Sequence, residues 1–205
     1  MRGRILKESI DLFDKKGFSK TSIQDIIDTI GVTKGTFYYY FKSKQELLMD
    51  IHLNYIKELL AEQEVIFNDE YLSNKEKMNN LISLIIKNIK IHGKSARVFN
   101  REFRHLDDNQ LKLINDYRKE FRIKLQKLLG EGIEKGEFRD DLRCDIVIFG
   151  ILGMVNRSYN WYDPDGEVSE EELVNTYMDI ILNGIKKEGK TALINEKIIE
   201  NHFTG

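Results

Sequence analysis

Cysteine is nearly missing from this 205-residue chain. Cys144 stands alone, so no intrachain disulfide can form and no thiolate cluster is on offer for zinc, which fits a reducing, cytoplasmic setting. Proline is as scarce: Pro164 is the only one, beside 14 glycines, which excludes collagen-like and proline-rich repeats. Long apolar runs are lacking too. The longest, Ile146 to Val155, covers ten residues, well short of the roughly 20 that span a bilayer, so no membrane partner is expected. The N-terminus meets Glu8 and Asp11 before any apolar stretch, unlike a signal peptide. His52, His92, His105 and His202 show no paired ligand spacing and read as single solvated side chains, so neither a metal site nor a cofactor is expected. No catalytic constellation is visible either. Gly93-Lys94-Ser95 lacks the first glycine of a phosphate-binding loop, since position 88 is Asn88, and Cys144 has no histidine near it in sequence. The chain does not read as an enzyme.

What is present is apolar content of 41% and charged content of 32% with a formal net charge of −2, which marks a folded chain. The near-balance hides an asymmetry. Residues 1–47 hold nine Lys/Arg against six Asp/Glu, and the remainder 23 against 28. Apolar residues recur at helical spacing throughout, and no alternating run calls for a strand, so an all-α fold is expected. Ile5, Leu6, Ile10, Leu12 and Phe13 predict a first helix over about 2–16, stopped by Gly17. A second follows from Thr21 or Ser22 to Gly31, and a brief third opens at Thr33 and ends at Phe41. Ser43-Lys-Gln-Glu46 reads as a capping box that starts a long fourth helix, and the same signature recurs at Ser73–Glu76 and Ser169–Glu172. Further helices are predicted at about 74–92, 95–105, 108–135, 142–161 and 169–187, with a turn at Asp163-Pro164-Asp165-Gly166. The tail after Gly189 has weak periodicity and supports no assignment. Two domains follow, 1–47 and 48–205.

Residues 22–41, SIQDIIDTIGVTKGTFYYYF, give helix, tight turn at Gly31-Val32 and second short helix: the helix-turn-helix pattern, whose second helix enters the major groove of DNA. The chemistry suits that role. Thr33, Lys34, Gly35 and Thr36 are small or hydrogen-bonding and let the backbone approach the bases. Tyr38, Tyr39, Tyr40, Lys42 and Lys44 are placed to clamp phosphates. Three consecutive tyrosines cannot all be core, because neighbouring helical side chains point about 100° apart. The stretch TSIQDIIDTIGVTKGTFYYYFKSKQELL resembles the DNA-binding domain of TetR/AcrR transcriptional regulators, with their (S/T)KGTxYxxF and K-x-K-x-x-L signature, over roughly residues 2–50. The resemblance implies a homodimeric repressor: a three-helix N-terminal helix-turn-helix domain followed by a larger helical ligand-binding and dimerisation domain. A small molecule would release it from a palindromic operator in double-stranded DNA. By motif position the DNA contacts fall on Thr33, Lys34, Gly35, Thr36, Tyr38, Tyr39, Tyr40 and Lys44, with Thr21 or Ser22 reaching a phosphate. Tyr40 departs from the histidine common there.

The second domain carries weaker signals. Arg157 and Trp161 lie four apart on one helical face, where an arginine beside an indole suits an adenine ring and a phosphate. The segment around them is similar to the subgroup of the family that senses acyl-coenzyme A thioesters. The alternative is a cation–π pair or an interface anchor. Arg97 and Arg101 share a face near Phe103, and Arg118 and Arg122 repeat the spacing. Arginines beside an apolar cavity favour an anionic effector, whereas acidic lining would favour a cationic drug; the bland reading pairs each arginine with a surface carboxylate. Gly150 and Gly153 interrupt an apolar helix, which suits close approach by another helix, and with Leu173, Val174, Tyr177, Ile180 and Ile181 they predict a four-helix dimer interface over 142–187. The rival to a metabolite-sensing repressor is a regulator of the same fold controlled by a multidrug cation or a protein partner.

Overall fold

The computed structural model describes residues 1–185, and every element among them is helical. Three helices, α1 (Arg2–Lys16), α2 (Ile23–Ile30) and α3 (Lys34–Tyr40), form the N-terminal unit. Ile5, Phe13, Ile26, Phe37 and Phe41 close its core, each at most 1% exposed, and each full burial of this kind is worth roughly 1.5–3 kcal/mol. Ser22 caps α2 through a reciprocal box with Asp25, whose carboxyl the Ser22 hydroxyl and amide hold down at about 2. Gly31 ends α2 at φ 73°, a left-handed conformation that glycine adopts without strain.

α4 (Lys44–Phe67) then runs on unbroken into the second unit. Ser43 caps it as expected, but the Glu46 carboxylate bonds the amide of Lys42 rather than that of Ser43, so the box closes one residue upstream. α5 (Asn74–Arg101), α6 (Asp108–Glu134), α7 (Cys144–Arg157) and α8 (Glu170–Ile185) complete the bundle, with single 3-10 turns at Phe103–His105 and Ser158–Asn160. The two helices expected over 74–92 and 95–105 meet within α5 at a kink, and the second ends at Arg101. His92 departs from helical geometry at φ −123°, ψ 24°, and hydrogen bonding resumes beyond it. Ser73 and Glu76 form the expected box, and Glu137 adds its carboxylate to the same helix end, accepting from the amides of Asn74 and Lys75 and from the Asn74 side chain. Ser169 accepts from the Glu172 amide, and Gly166 closes the expected turn on Asp163. The undecided tail lies outside the described residues.

Candidate functional site

The α3 surface divides by burial. Phe37 is fully buried and fixes the helix on its domain, while Tyr39 is 82% and Tyr38 45% exposed, and Tyr40 is half-buried with its ring edge against Tyr39 at 4.9 Å. At least one tyrosine had to face outward, and two do. Thr33 accepts from the Thr36 amide at 3.2 Å and shares a hydrogen bond with the Thr36 hydroxyl, so both hydroxyls lie at the exposed tip of the helix. Gly35 is exposed, and a methyl group there would meet only ordinary contact with Thr33. The fold does not require a glycine at this point, which leaves close approach from outside as its use. Lys34 and Lys42 are exposed and make no ion pair among the described residues. Ser22 stands exposed at the start of α2.

Two of the expected phosphate contacts are turned inward. Thr21 is 1% exposed and donates its hydroxyl to the Gly17 carbonyl at 2.9 Å, so it ties off α1 instead of facing DNA. Lys44 donates to the carbonyls of Phe18 and Thr21 at 2.7 and 2.6 Å, and its ammonium lies 4.3 Å from the centre of the Phe18 ring. Burial lowers its pKa below the ordinary lysine value. It locks the α1–α2 connection and has little left to offer a phosphate.

A cavity of about 500 Å³ opens in the second unit between α4, α5, α6 and α7. Ile56, Ile85 and Phe121 form its buried wall, and Asn115, Lys119, Gly153 and Asn156 stand at its exposed mouth. Arg118, Lys119 and Arg122 line it, and no aspartate or glutamate does. The Arg118 guanidinium packs against the rings of Phe99 and Phe103, at 4.4 and 4.2 Å from their centres, and donates to the Phe99 carbonyl at 3.3 Å. It has no carboxylate partner among the described residues, and burial lowers its pKa. Arg122 lies 4.6 Å over the exposed Phe149 ring. Burial also raises the pKa of the Tyr55 hydroxyl, which lines the same cavity and whose ring packs on Phe99 as Arg118 does.

Of the arginines singled out from sequence, Arg97, Arg101 and Arg157 lie outside the cavity lining. Arg97 forms a two-pronged pair with Asp14 at 2.8 and 2.7 Å, and Arg101 donates to the Phe13 and Asp14 carbonyls at the end of α1. Both grip the N-terminal unit and neither lines the cavity, because the α5 face that carries them points at α1. Arg157 and Trp161 are exposed outside the cavity lining and form no cation–π contact with each other; Trp161 rests its edge on Tyr162 instead. Phe103 sits behind the lining, against Arg118. His52, expected to be solvated, is fully buried: its Nδ1 meets the Leu48 carbonyl at 2.9 Å, its ring packs on Phe99, and burial pushes its pKa down to about 4. Asp14 and Asn100 were not anticipated, and an isolated acid or amide offers no pattern to find it by. The i, i+4 spacing of Arg118 and Arg122 was the one visible pointer to the cavity.

Residues 5–51 match the model for bacterial regulatory proteins of the tetR family, and residues 71–185 match that of the tetracyclin repressor-like C-terminal domain. The HTH-type transcriptional repressor KstR2 of Mycobacterium tuberculosis is 29% identical over 92% of this chain and 94% of its own. The structure of that ketosteroid transcriptional regulator superposes with a TM-score of 0.84 over 91% of this chain and 95% of its own. The fatty acid metabolism regulator protein of Bacillus subtilis is 23% identical over 89% of this chain and 94% of its own. AibR, solved with isovaleryl coenzyme A and operator DNA, shares the fold at a TM-score of 0.77 and 24% identity, over 88% of this chain and 97% of its own. Among the described residues no helix is long and apolar enough to cross a membrane, and no cluster of His, Cys, Asp and Glu has the arrangement to hold a metal.

Proposed function

The chain belongs to the tetR family of bacterial regulatory proteins, and on that premise we propose that it is a cytoplasmic transcriptional repressor that leaves its operator when an acyl-coenzyme A thioester fills the second domain. One observation carries the effector assignment: three cations and no acid line a cavity whose inner wall is apolar. A cationic drug would be buried there without a counter-charge, whereas an anionic carrier with an apolar tail satisfies both ends. The names of the relatives agree with this chemistry, since KstR2 is titled a ketosteroid regulator, the Bacillus protein a fatty acid metabolism regulator, and AibR was solved with an acyl-coenzyme A.

DNA is met by Ser22, Thr33, Lys34, Gly35, Thr36, Tyr38, Tyr39, Tyr40 and Lys42. The exposed lysines and hydroxyls position the helix on phosphates, and Gly35 lets the backbone approach the base edges. The protein works as a homodimer on two half-sites separated by about 34 Å or a little more. Support for a second copy comes from the α7–α8 face, where Ile146 and Ile180 are 61% and 54% exposed and Gly150 faces open space.

Communication between the two sites runs through the bent end of α5. Beyond the His92 kink, Phe99 and Asn100 form cavity wall while Lys94, Arg97 and Arg101 hold Asp11, Asp14 and the carbonyl end of α1. An effector that displaces the wall therefore drags α1. The response needs two states of differing DNA affinity, with the effector favouring the weaker binder. This reading assigns the protein no catalytic step.

The test is fluorescence anisotropy at fixed salt, with a duplex from the region upstream of its own gene and added acyl-coenzyme A thioesters of increasing chain length. Release by one class of chain, without response to free coenzyme A or cationic dyes, is the expected result. Tight binding unmoved by every thioester would remove the effector assignment and leave the repressor.

A further inference from the structure

Arg118 lines the cavity, and burial lowers its pKa. It shares the lining with the exposed Lys119 and Asn115, with Arg122, and with the buried Ile56, Ile85 and Phe121. Two phenylalanine rings pack against its guanidinium, and one of its five donors meets the Phe99 carbonyl at 3.3 Å. No carboxylate is paired with it among the described residues. As long as water fills the cavity, the remaining N–H groups are solvated. An apolar chain entering beside them expels that water, and donors of a charged group left without acceptors in an apolar surrounding are costly. An effector that fills the cavity must therefore bring its own oxygen to this depth.

We propose that Arg118 receives the thioester carbonyl of the effector and is the residue by which the protein tells an acylated carrier from any other adduct of the same carrier. This rests on the acyl-coenzyme A reading above. In such a molecule the carbonyl is the one oxygen at the junction of the polar carrier and the apolar chain, and Arg118 is the cavity cation stacked on aromatic rings with donors to spare. With the carbonyl on Arg118, the carrier lies outward past Lys119 and Arg122 and the chain runs inward along Ile56, Ile85 and Phe121. The planar fork suits the role, because the two rings packed on it fix its orientation before anything binds.

The experiment compares a thioester with the thioether of equal chain length, in which a methylene replaces the carbonyl, as releasers of the operator duplex. Wild-type protein should need at least about tenfold more thioether than thioester, the equivalent of ~1.4 kcal/mol. Arg118→Met should respond to both alike, at the higher concentration, and Arg118→Lys should recover part of the difference. A merely structural arginine would weaken both ligands equally and leave their ratio unchanged, so the ratio remains decisive even for a variant of lowered thermal stability. Equal potency of thioester and thioether on the wild type overturns the assignment of Arg118 while the effector class stands. Failure of every thioester to release DNA overturns both.

Discussion

Replacing Asp14 by alanine should loosen the effector's control of DNA binding while leaving each binding event in place. The carboxylate lies at the end of α1 with 12% of its side chain exposed and takes both prongs of Arg97 at 2.8 and 2.7 Å. Hydrogen bonds to charged groups contribute about 1.5–3 kcal/mol when enclosed, but the Arg97 side chain is 37% exposed and solvent screens the pair, leaving ~1–2 kcal/mol. Coupling between two ligand sites is typically about 1–3 kcal/mol. Loss of this link therefore removes a large share of it. Operator affinity measured by anisotropy without and with saturating effector gives the coupling as a ratio, and Asp14→Ala should shrink that ratio about tenfold. Arg97→Ala should do the same, and the double variant should add nothing to either, which a double-mutant cycle detects. An unchanged ratio in Asp14→Ala, or full additivity of the two losses, would refute the idea that the α1–α5 pair transmits the signal.

Lys34→Ala should weaken operator binding and lower the slope of log affinity against log salt by roughly 0.9, as expected for one lost phosphate contact. Lys44→Ala should leave the slope unchanged and reduce thermal stability, since it strips a donor from the Phe18 and Thr21 carbonyls; a reduced slope would return Lys44 to the DNA. His52 titrates at about 4 in the folded protein against an ordinary 6.5, so below pH 6.5 the unfolded chain takes a proton that the native one refuses. Stability from this group is complete above pH 6.5 and falls by about 3 kcal/mol as the pH drops to 4, and urea unfolding of His52→Gln should lack that part of the pH dependence. Gly132→Ala should cost about 1–3 kcal/mol or more in a denaturant melt, because the new methyl would overlap the fully buried Phe138 ring; a neutral result would mean that Phe138 has room to move. Ile146→Asp or Ile180→Asp should shift sedimentation toward the monomer, and an unchanged dimer would relocate the interface.

Local signals made the helices legible. Ser43 and Ser73 cap where their spacing to an acid said they would, Ser22 is the one of two candidates that caps α2, and Gly31 stops α2 in the one conformation that favours glycine. The break at His92 was legible as the gap between the helices expected over 74–92 and 95–105. The exposed tip of α3 followed from the motif and from helical geometry. What could not be read was the direction in which a charged side chain points. Arg97, Arg101 and Arg118 look alike in sequence, yet the first two face α1 and the third faces the cavity, a difference set by how α5 and α6 rotate as they pack. Thr21 and Lys44 are similar cases, since carbonyls left over at the end of α1 and in the turn to α2 compete with any phosphate for their donors.

α4 extends for 24 residues, about 36 Å at 1.5 Å per residue. Leu47, Leu48 and Ile51 near its start are buried, and Tyr55, Ile56 and Leu59 face the cavity a turn or two later. It passes the expected boundary at residue 47 without a break, so the reading head is not tethered to the sensor by a linker but shares a rod with it. A cut at that point would sever helix and expose apolar surface on both pieces, and neither half should melt separately from the other. Heat should therefore undo the regulator in one cooperative transition. Exchange of sensor domains between such regulators is accordingly a matter of splicing in helical phase, since one inserted residue in α4 would rotate everything beyond it by about 100°.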